Sequence, residues 1–290
     1  MKKLGRNDAC WCGSQKKYKH CHEAFDEKLE EAARAGHFIP SHDMIETPEQ
    51  LEGIRESCKI NIAVLDYVAE HIHAGVTTEE IDKWVYDETT KRGGIPAPLG
   101  YQGFPKSVCT SIDDQVCHGI PSEDVVLKDG DIINVDVSTI YKGYYSDSSR
   151  MFCIGEVSPE KKKLVDVVKE CVELGLEQVK PWGFLGDMAH AVNEHAVKNG
   201  CSVVREIGGH GVGLEFHEEP WVGYIGEPGT GMMMAPGMVF TIEPMVNMGG
   251  CEVYVDDSDG WGVYTEDGRP SAQWEIMVLV TETGHEVLCW

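Results

Sequence analysis

The chain has 290 residues, of which 42% are hydrophobic, and a formal net charge of −24 at neutral pH. This composition excludes a disordered protein and leaves room for one large domain with a small appendage. No apolar run reaches the roughly 18 residues of a membrane-spanning helix, and the first residues lack the apolar stretch of a secretion signal, so we expect neither membrane insertion nor secretion.

Cysteine usage and charge distribution add two expectations. The eleven cysteines are an odd number, and most stand singly in apolar segments, which favours reduced thiols and the cytoplasm over a disulfide framework. Residues 1–22 contain six Lys or Arg and one acid, whereas the rest of the chain is strongly acidic. The acidic body is poorly suited to binding nucleic acid, but the basic head could contact RNA or an acidic partner by itself.

The basic head carries four candidate ligands for a structural zinc ion, Cys10, Cys12, Cys21 and His22. Three sulfurs and one imidazole suffice for a tetrahedral site. A segment this short has almost no core, so metal binding would supply its folding free energy. The alternative is a disordered, thiol-bearing tail. We expect a knuckle over residues 1–23 and a helical linker over 24–45, in which Gly36 ends the helix.

The remaining residues, 46–290, alternate between helical and strand patterns. Thr47-Pro-Glu-Gln50 is a capping box with proline at the first helical position, and apolar residues then recur at helical spacing. Thr77-Thr-Glu-Glu80 caps a second helix, and strand-like runs follow to about Gly155.

The same succession occurs again in the second half of the chain. Ser158-Pro159 begins a third helix, Gly186-Asp187 begins a fourth that Gly200 ends, and further strands complete the chain. The order helix, helix, strands thus appears twice, as a loose structural duplication. It predicts an α+β fold with antiparallel sheet and flanking helices.

Five candidate metal ligands interrupt apolar or glycine-rich segments: Asp136, Asp147, His210, Glu243 and Glu275. A buried carboxylate without a cation is costly, so several of them in one place indicate a metal. Four carboxylates and one imidazole suit a pair of divalent ions, which could be manganese, iron, cobalt or zinc. The sequence therefore predicts a metallohydrolase.

The strand pairing of Asp136 with Asp147 depends on which residues form the hairpin turn, and some of the five candidates also have an alternative interpretation. If Tyr141-Lys142 forms a hairpin turn, Asp136 and Asp147 lie directly opposite each other; if Lys142-Gly143 forms it, the pairing moves by two residues and both still share one face. The alternative is a polar outer face of the hairpin, and for His210 a flexible, solvated turn. Both glutamates are expected inside strands, where a buried unpaired Glu is rare.

Several short motifs then point to a family. They are Val116-Cys-His-Gly-Ile-Pro121, Gly209-His-Gly211, Phe216-His-Glu-Glu-Pro220, Thr241-Ile-Glu-Pro-Met245 and Ser271-Ala-Gln-Trp-Glu275, together with the Asp136/Asp147 pair. As a set they resemble methionine aminopeptidase of type I over roughly residues 46–290. The resemblance implies a pseudo-symmetric pita-bread fold with the site between its halves. It also implies removal of the initiator methionine from nascent proteins, with a small second residue preferred.

The resemblance also implies a role for each ligand. Asp147 and Glu275 would bridge the two ions, Asp136 would bind the first, and His210 with Glu243 the second. Peptide hydrolysis needs a base and a donor to the developing oxyanion. The family pattern makes Glu243 the base candidate and places His217 near the scissile carbonyl and His118 near the scissile amide. The alternatives are packing of His118 beside Cys117 and an ion pair of His217 with Glu218 or Glu219.

A methionine-specific enzyme needs a tight apolar pocket for a flexible thioether. The residues that match the family's pocket are Tyr101, Phe104, Cys109, Phe216 and Trp261, which could also be ordinary packing residues. Pro98 stands where the family more often has a small residue such as Cys, and Ile276 where it often has His.

The head resembles the SEC-C knuckle of the bacterial translocase motor, including Cys12-Gly-Ser14 and Lys17-Tyr-Lys19. That resemblance implies contact with ribosomes or a secretion chaperone through residues 1–22. Two rival functions remain for the larger part, a prolidase or aminopeptidase P relative and a non-catalytic binding module of the same fold. We expect a monomer.

Overall fold

The protein is described by a computed structural model that covers residues 4–290. Met1, Lys2 and Lys3 lie outside the described residues, so the part of the predicted basic head that falls on them is not described. In the described part, no helix combines the length and the apolar character needed to cross a membrane.

Five α-helices are present in the described chain, in addition to short 3₁₀ turns. They are α1 (Glu23–Arg34), α2 (Pro48–His71), α3 (Thr78–Lys91), α4 (Pro159–Glu177) and α5 (Leu185–Lys198). The predicted capping boxes are formed: Gln50 N donates to Thr47 Oγ1 at 3.3 Å while Thr47 N donates to Gln50 Oε1 at 2.7 Å. The corresponding bonds link Thr77 and Glu80 at 3.1 and 2.8 Å.

The strands of the first half are β1 (Ile95–Pro96), β2 (Cys109–Ile112), β3 (Gln115–Cys117), β4 (Ile132–Tyr141) and β5 (Tyr144–Cys153). Those of the second half are β6 (Ser202–Val203), β7 (Gly209–Gly211), β8 (Glu218–Val222), β9 (Val239–Ile242), β10 (Met245–Asn247), β11 (Val253–Val255), β12 (Val263–Thr265), β13 (Ser271–Gln273), β14 (Ile276–Val280) and β15 (His285–Cys289).

The strands form antiparallel sheets, as the sequence predicts. One sheet has the order β1-β4-β2 with β5 paired to β4, and the largest has the order β15-β14-β9-β7-β8. Two three-stranded sheets complete the fold, β13-β10-β6 and β11-β12-β3. An isolated bridge between Ser149 and Glu275 joins the β4/β5 hairpin to the start of β14. The two halves of the chain therefore meet at a residue predicted to bind metal.

Two hydrophobic cores follow the predicted duplication. The first packs α2 and α3 against the β4 hairpin, with Leu65, Ile81 and Val135 fully buried. The second packs α4 and α5 against the largest sheet, with Val168 and Ile242 fully buried. Each helix pair covers one face of an antiparallel sheet. This two-layer packing is expected, because amphipathic helices bury their apolar side against the sheet.

The segment after the knuckle is packed onto the second core. Leu29 of α1 is fully buried in the same cluster as α4 and α5. The rings of Phe25 and Trp182 lie 5.3 Å apart, and Met233 N donates a hydrogen bond to Phe38 O at 2.8 Å. Residues 24–45 thus lie against the larger domain as well as connecting it to the knuckle.

Candidate metal centre and active site

A cavity of about 630 Å³ opens between the two halves of the fold. Every residue predicted as an active-site metal ligand, a catalytic group or a pocket wall lines it: Tyr101, Phe104, Cys109, His118, Asp136, Asp147, His210, Phe216, His217, Glu243, Trp261 and Glu275. Residues far apart in the sequence are brought together by the sheet order.

The β4/β5 hairpin places two carboxylates on one face. Tyr141 pairs with Tyr144, so Lys142-Gly143 forms the turn, and Ser138 rather than Asp136 lies opposite Asp147. Both turn residues have positive φ, 53° and 87°, as a two-residue type I′ hairpin turn requires. The second of the two predicted registers is therefore confirmed, and the Ser138 hydroxyl donates to Asp147 Oδ1 at 2.8 Å.

The two glutamates stand at strand ends, so their predicted position inside strands is wrong. Glu243 follows β9 and Glu275 precedes β14. Pro244 has no N–H to continue the ladder, and Glu243 N donates instead to the Tyr224 hydroxyl at 2.6 Å. At such an end the side chain can leave the apolar layer, and both carboxylates turn into the cavity.

His210 lies on β7, between two glycines that allow this strand to approach its neighbouring strands closely. A Cβ atom at Gly209 would come within 2.7 Å of Thr241 O, and one at Gly211 within 2.2 Å of Glu219 O. The backbone of β7 therefore approaches β8 and β9 closely, and the imidazole is carried toward the carboxylates. The Thr241 hydroxyl accepts from His210 N at 3.0 Å and donates to Glu243 Oε1 at 2.7 Å.

The donor atoms converge to within reach of a shared cation. His210 Nε2 lies 3.8 Å from Asp147 Oδ2 and 3.5 Å from Glu243 Oε1. Donor atoms of Asp147, His210 and Glu275 all lie within 4.8 Å of one another. Asp136 Oδ1 and Glu275 Oε2 are buried without any hydrogen-bond donor. Within residues 4–290 no Lys or Arg forms an ion pair with these carboxylates, so the donor set fits divalent cations.

The carboxylates of this cluster resist ionisation without a cation. Burial raises the pKa of Asp136 to about 7 and that of Glu243 to about 8. Burial, together with the charges of the neighbouring carboxylates, also raises the pKa values of Asp147 and Glu275 well above their usual range. Burial lowers the pKa of His210, which favours the neutral imidazole that binds metals.

Two further histidines face the cluster. The rings of His217 and His210 lie 4.3 Å apart, and the Tyr101 hydroxyl lies 3.0 Å from His217 Nδ1. Although His217 is exposed to the cavity, surrounding protein and the neighbouring His210 and His118 lower its pKa to about 4. Burial likewise lowers the pKa of His118. No ion pair of His217 with Glu218 or Glu219 is present in the described chain, where the Glu218 carboxylate accepts from Leu214 N and Glu215 N.

Aromatic rings close one side of the cavity. Tyr101 and Phe216 contact each other with ring centroids 4.8 Å apart, and Phe104 and Trp261 with centroids 5.1 Å apart. Cys109 is buried opposite Asp136 in the β2–β4 pairing. The result is an apolar recess next to the carboxylate cluster.

Sequence reasoning missed several residues that line the cavity. They are Gln102, Ser138, Ile207, Gly208 and Trp221. Ser138 could have been found, because it lies two residues from Asp136 on the same strand and thus on the same face. Gln102 and Ile207 lie in irregular segments, where no periodic pattern marks the direction of a side chain.

The knuckle residues also converge. Donor atoms of Cys10, Cys12, Cys21 and His22 lie within 4.8 Å of one another. Cys10 Sγ and Cys21 Sγ lie 3.2 and 3.3 Å from His22 Nδ1. All eleven cysteines are free thiols. This compact S₃N set fits a tetrahedral zinc ion and argues against a disordered tail.

Comparison with known proteins agrees with both regions. Residues 52–282 match metallopeptidase family M24, and residues 6–24 match the SEC-C motif. The chain is 43% identical over 288 residues to a methionine aminopeptidase of Chlamydia pneumoniae, an alignment that covers 98% of each protein. It is 48% identical over 239 residues to methionine aminopeptidase A of a Synechocystis strain, covering 82% of this chain and 94% of that protein.

A solved structure supports the same relationship. The crystal structure of methionine aminopeptidase from Rickettsia prowazekii superposes with a TM-score of 0.83 at 41% identity, covering 85% of this chain and 99% of that one. The predicted pseudo-symmetric pita-bread fold is thereby confirmed. From the family match, the identities and the shared fold, the chain belongs to metallopeptidase family M24, among the type I methionine aminopeptidases with an N-terminal SEC-C motif.

Proposed function

We propose that this protein removes the initiator methionine of nascent proteins by hydrolysing their first peptide bond, with a small second residue preferred. The observation that carries the proposal is a set of four carboxylates and one imidazole that line one cavity beside an aromatic recess and that no Lys or Arg of residues 4–290 pairs with. A non-catalytic module is not favoured because every predicted ligand lines the cavity. A prolidase-like activity is not favoured because relatives at 41–48% identity are methionine aminopeptidases.

Asp136, Asp147, His210, Glu243 and Glu275 would hold two divalent ions, and Asp147 and Glu275 would be the ligands that the two ions share. Bound there, the ions would supply activation of a water molecule and polarisation of the scissile carbonyl. Ligand types are compatible with manganese, iron, cobalt or zinc as the native metal.

The protein side chains supply the proton transfers and the orientation. Glu243 takes a proton from the attacking water and returns it to the leaving amine. Two hydrogen bonds orient the Glu243 carboxylate for these proton transfers. Oε1 accepts from the Thr241 hydroxyl, and Oε2 accepts from Gln273 Nε2 at 2.9 Å.

The two histidines act on the scissile peptide group. His217 is neutral at neutral pH, since its pKa is about 4. We assign the Tyr101 hydroxyl as the donor to His217 Nδ1, an assignment that leaves the proton on Nε2, where it can donate to the developing oxyanion. His118, whose ring centroid lies 6.4 Å from that of Trp261, binds the scissile amide. The recess formed by Tyr101, Phe104, Cys109, Phe216 and Trp261 holds the methionine side chain.

Release of free methionine from Met-Ala-Ser tests the proposal under manganese, iron, cobalt and zinc in turn. We expect turnover with at least one ion, and a loss of at least about 100-fold in kcat/KM for Asp147→Asn, which removes a shared ligand. Asp87→Asn is the control, since it makes the same charge change on the exposed surface of α3. Near-normal turnover by metal-loaded Asp147→Asn, or faster cleavage of Xaa-Pro peptides, contradicts the proposal.

For the whole chain we propose a knuckle over 1–23, a helical linker over 24–45 and a catalytic domain over 46–290. Cys10, Cys12, Cys21 and His22 would hold a structural zinc ion, and the basic residues of 1–22 would contact the ribosome or a secretion chaperone. Exposed Lys16 and Lys17 support an anionic partner. The free thiols favour the cytoplasm, and we propose a monomer.

Cosedimentation with ribosomes, compared between the full chain and a chain lacking residues 1–22, tests the proposed ribosome contact. Equal ribosome binding by both proteins rules this contact out.

A further inference from the structure

Trp221 is a large aromatic side chain at the cavity that the proposed catalytic steps do not use. Its exposed fraction is 53%, whereas Phe104 and Phe216 of the recess are 3% and 9% exposed. Among the ring contacts of residues 4–290, none joins Trp221 to the recess, although Trp221 lines the same cavity. Trp221 therefore belongs to the outer part of the cavity.

The strand register places Trp221 beside the metal centre. Trp221 of β8 is the direct partner of His210 of β7. Side chains of directly opposed residues project to the same face, with Cβ atoms about 5 Å apart. A register shift just after His210 leaves Glu219 and Pro220 in a bulge, and bulges commonly redirect side chains. Glu219 also lines the cavity.

The indole of Trp221 packs against the main chain at two glycine residues. A Cβ atom at Gly208 would lie 3.0 Å from Trp221 Cζ2, and one at Gly223 would lie 3.2 Å from Trp221 Nε1. The two glycines therefore let the ring pack closely against the main chain. An aromatic surface that is already fixed loses little conformational freedom when it binds a ligand.

The surroundings of the indole are anionic. Glu219 is exposed, and its Oε2 accepts from the backbone N–H of Trp221 at 3.2 Å, which keeps the carboxylate close to the main chain that carries the indole. Glu218 also lines the cavity. Among the residues of the described chain that line this cavity, there is no Lys or Arg. An aromatic face beside a carboxylate favours a cation, and the planar guanidinium of Arg fits this combination best.

We propose that Trp221 and Glu219 bind the third residue of the substrate and select for Arg or Lys at that position. This inference rests on the proposed function, because it takes the first peptide bond to lie at the metal centre. An extended peptide advances about 3.3 Å per residue, so its third side chain lies about 7 Å beyond the first. Because the Cβ atoms of the paired residues His210 and Trp221 lie about 5 Å apart, a side chain displaced by that distance from the first residue comes within reach of the Trp221 indole.

Three amidated peptides test the selection: Met-Ala-Arg-Ser, Met-Ala-Gln-Ser and Met-Ala-Glu-Ser. For the unmodified, metal-loaded enzyme at low ionic strength we expect kcat/KM to be about tenfold higher for the Arg than for the Glu peptide, mainly through KM. The ratio should fall as salt is added. Trp221→Ala and Glu219→Gln should each reduce it to about twofold. Because the ratio compares two substrates of one protein, a general loss of activity cancels.

Glu160→Gln is the matched control, since it removes the same charge from an exposed position on α4, and its ratio should equal that of the unmodified enzyme. Equal kcat/KM for the Arg and Glu peptides, or a preference that survives both cavity substitutions, overturns this inference while leaving the proposed function intact. Failure of the metal-loaded enzyme to release methionine from any of the peptides refutes the proposed function, and this inference with it.

Discussion

Glu46 shows what burial does to a carboxylate that has no cation to bind. It is 9% exposed, lies just before α2, and its Oε2 accepts no hydrogen bond. Burial, with a smaller contribution from the charge of Glu218, raises its pKa from 4.5 to about 7. At the proposed metal centre, bound ions would offset the same penalty, but Glu46 lies outside that cluster. Its ionisation is therefore a net cost of folding above neutral pH.

Glu46→Gln should make the protein less sensitive to alkaline pH. Below about pH 4.5 both folded and unfolded states hold the proton; as pH rises toward 7 the unfolded state loses it first, so stability falls and then stays lower. The cost is about 3 kcal/mol at pH 8, because the pKa in the folded state lies about 2.5 above 4.5. Thermal unfolding at pH 5 and pH 8, with equal metal loading, should show a smaller decrease for Glu46→Gln than for the unmodified protein. The exposed Glu177→Gln is the control; an unchanged decrease for Glu46→Gln contradicts the assignment.

Among the elements, α1 has a role that its linker position does not suggest. Asp26 of α1 accepts hydrogen bonds from the Tyr18 hydroxyl at 2.7 Å and from Trp11 Nε1 at 3.2 Å. His42 Nε2 lies 2.9 Å from its other oxygen. The Trp11 and His42 rings stack with centroids 3.9 Å apart. One carboxylate therefore ties the knuckle to the segment that leads into the larger domain.

Asp26→Ala should release the knuckle from the larger domain without unfolding that domain. Hydrogen bonds to a charged group contribute about 1.5–3 kcal/mol each, so local opening should become at least about tenfold more frequent. Limited trypsin digestion should cleave after Lys16, Lys17 or Lys19 correspondingly faster, while the main thermal transition stays within about 2 °C. Glu30→Ala, an exposed change on the same helix, is the control. Equal cleavage rates for the two variants would show that Asp26 does not hold the knuckle.

At the scale of the whole molecule, the proposed metal centre joins the two halves of the fold. Asp136 and Asp147 come from the β4/β5 hairpin, whereas His210, Glu243 and Glu275 come from the largest sheet and its ends. Ions bound there would attract carboxylates of both halves at once and would remove their mutual repulsion. Because the unfolded chain does not preserve the cluster, metal binding should stabilise the entire domain.

Removal of the metals should accordingly lower the melting temperature of the larger domain. At a free ion concentration of 100 times Kd the stabilisation is about 2.7 kcal/mol, or roughly 5–10 °C for a domain of this size. Calorimetry of chelator-treated protein, titrated with manganese, measures this shift. Asp147→Asn should lose most of it, whereas Cys12→Ser, which affects only the knuckle, should keep it. A shift of the same size in Asp147→Asn would place the stabilising ions elsewhere.

The sequence by itself determined those features that depend on local pattern and on residue chemistry. Capping boxes and helical periodicity predicted where α2 and α3 begin, because the residues that form these patterns lie within a few positions of one another. The five candidate metal ligands stood out because acidic or imidazole groups interrupted segments that would otherwise be buried. The alternation of side chains placed Asp136 and Asp147 on one face whichever hairpin turn was formed.

The tertiary structure alone decided how distant segments meet. It selected the Lys142-Gly143 turn, moved Glu243 and Glu275 to strand ends, and docked α1 on the second core. It also brought Trp221 opposite His210, a pairing between residues that local pattern cannot connect. Sheet register and loop direction depend on long-range packing and on glycines that permit close backbone contact, and such contacts leave no periodic trace in the sequence.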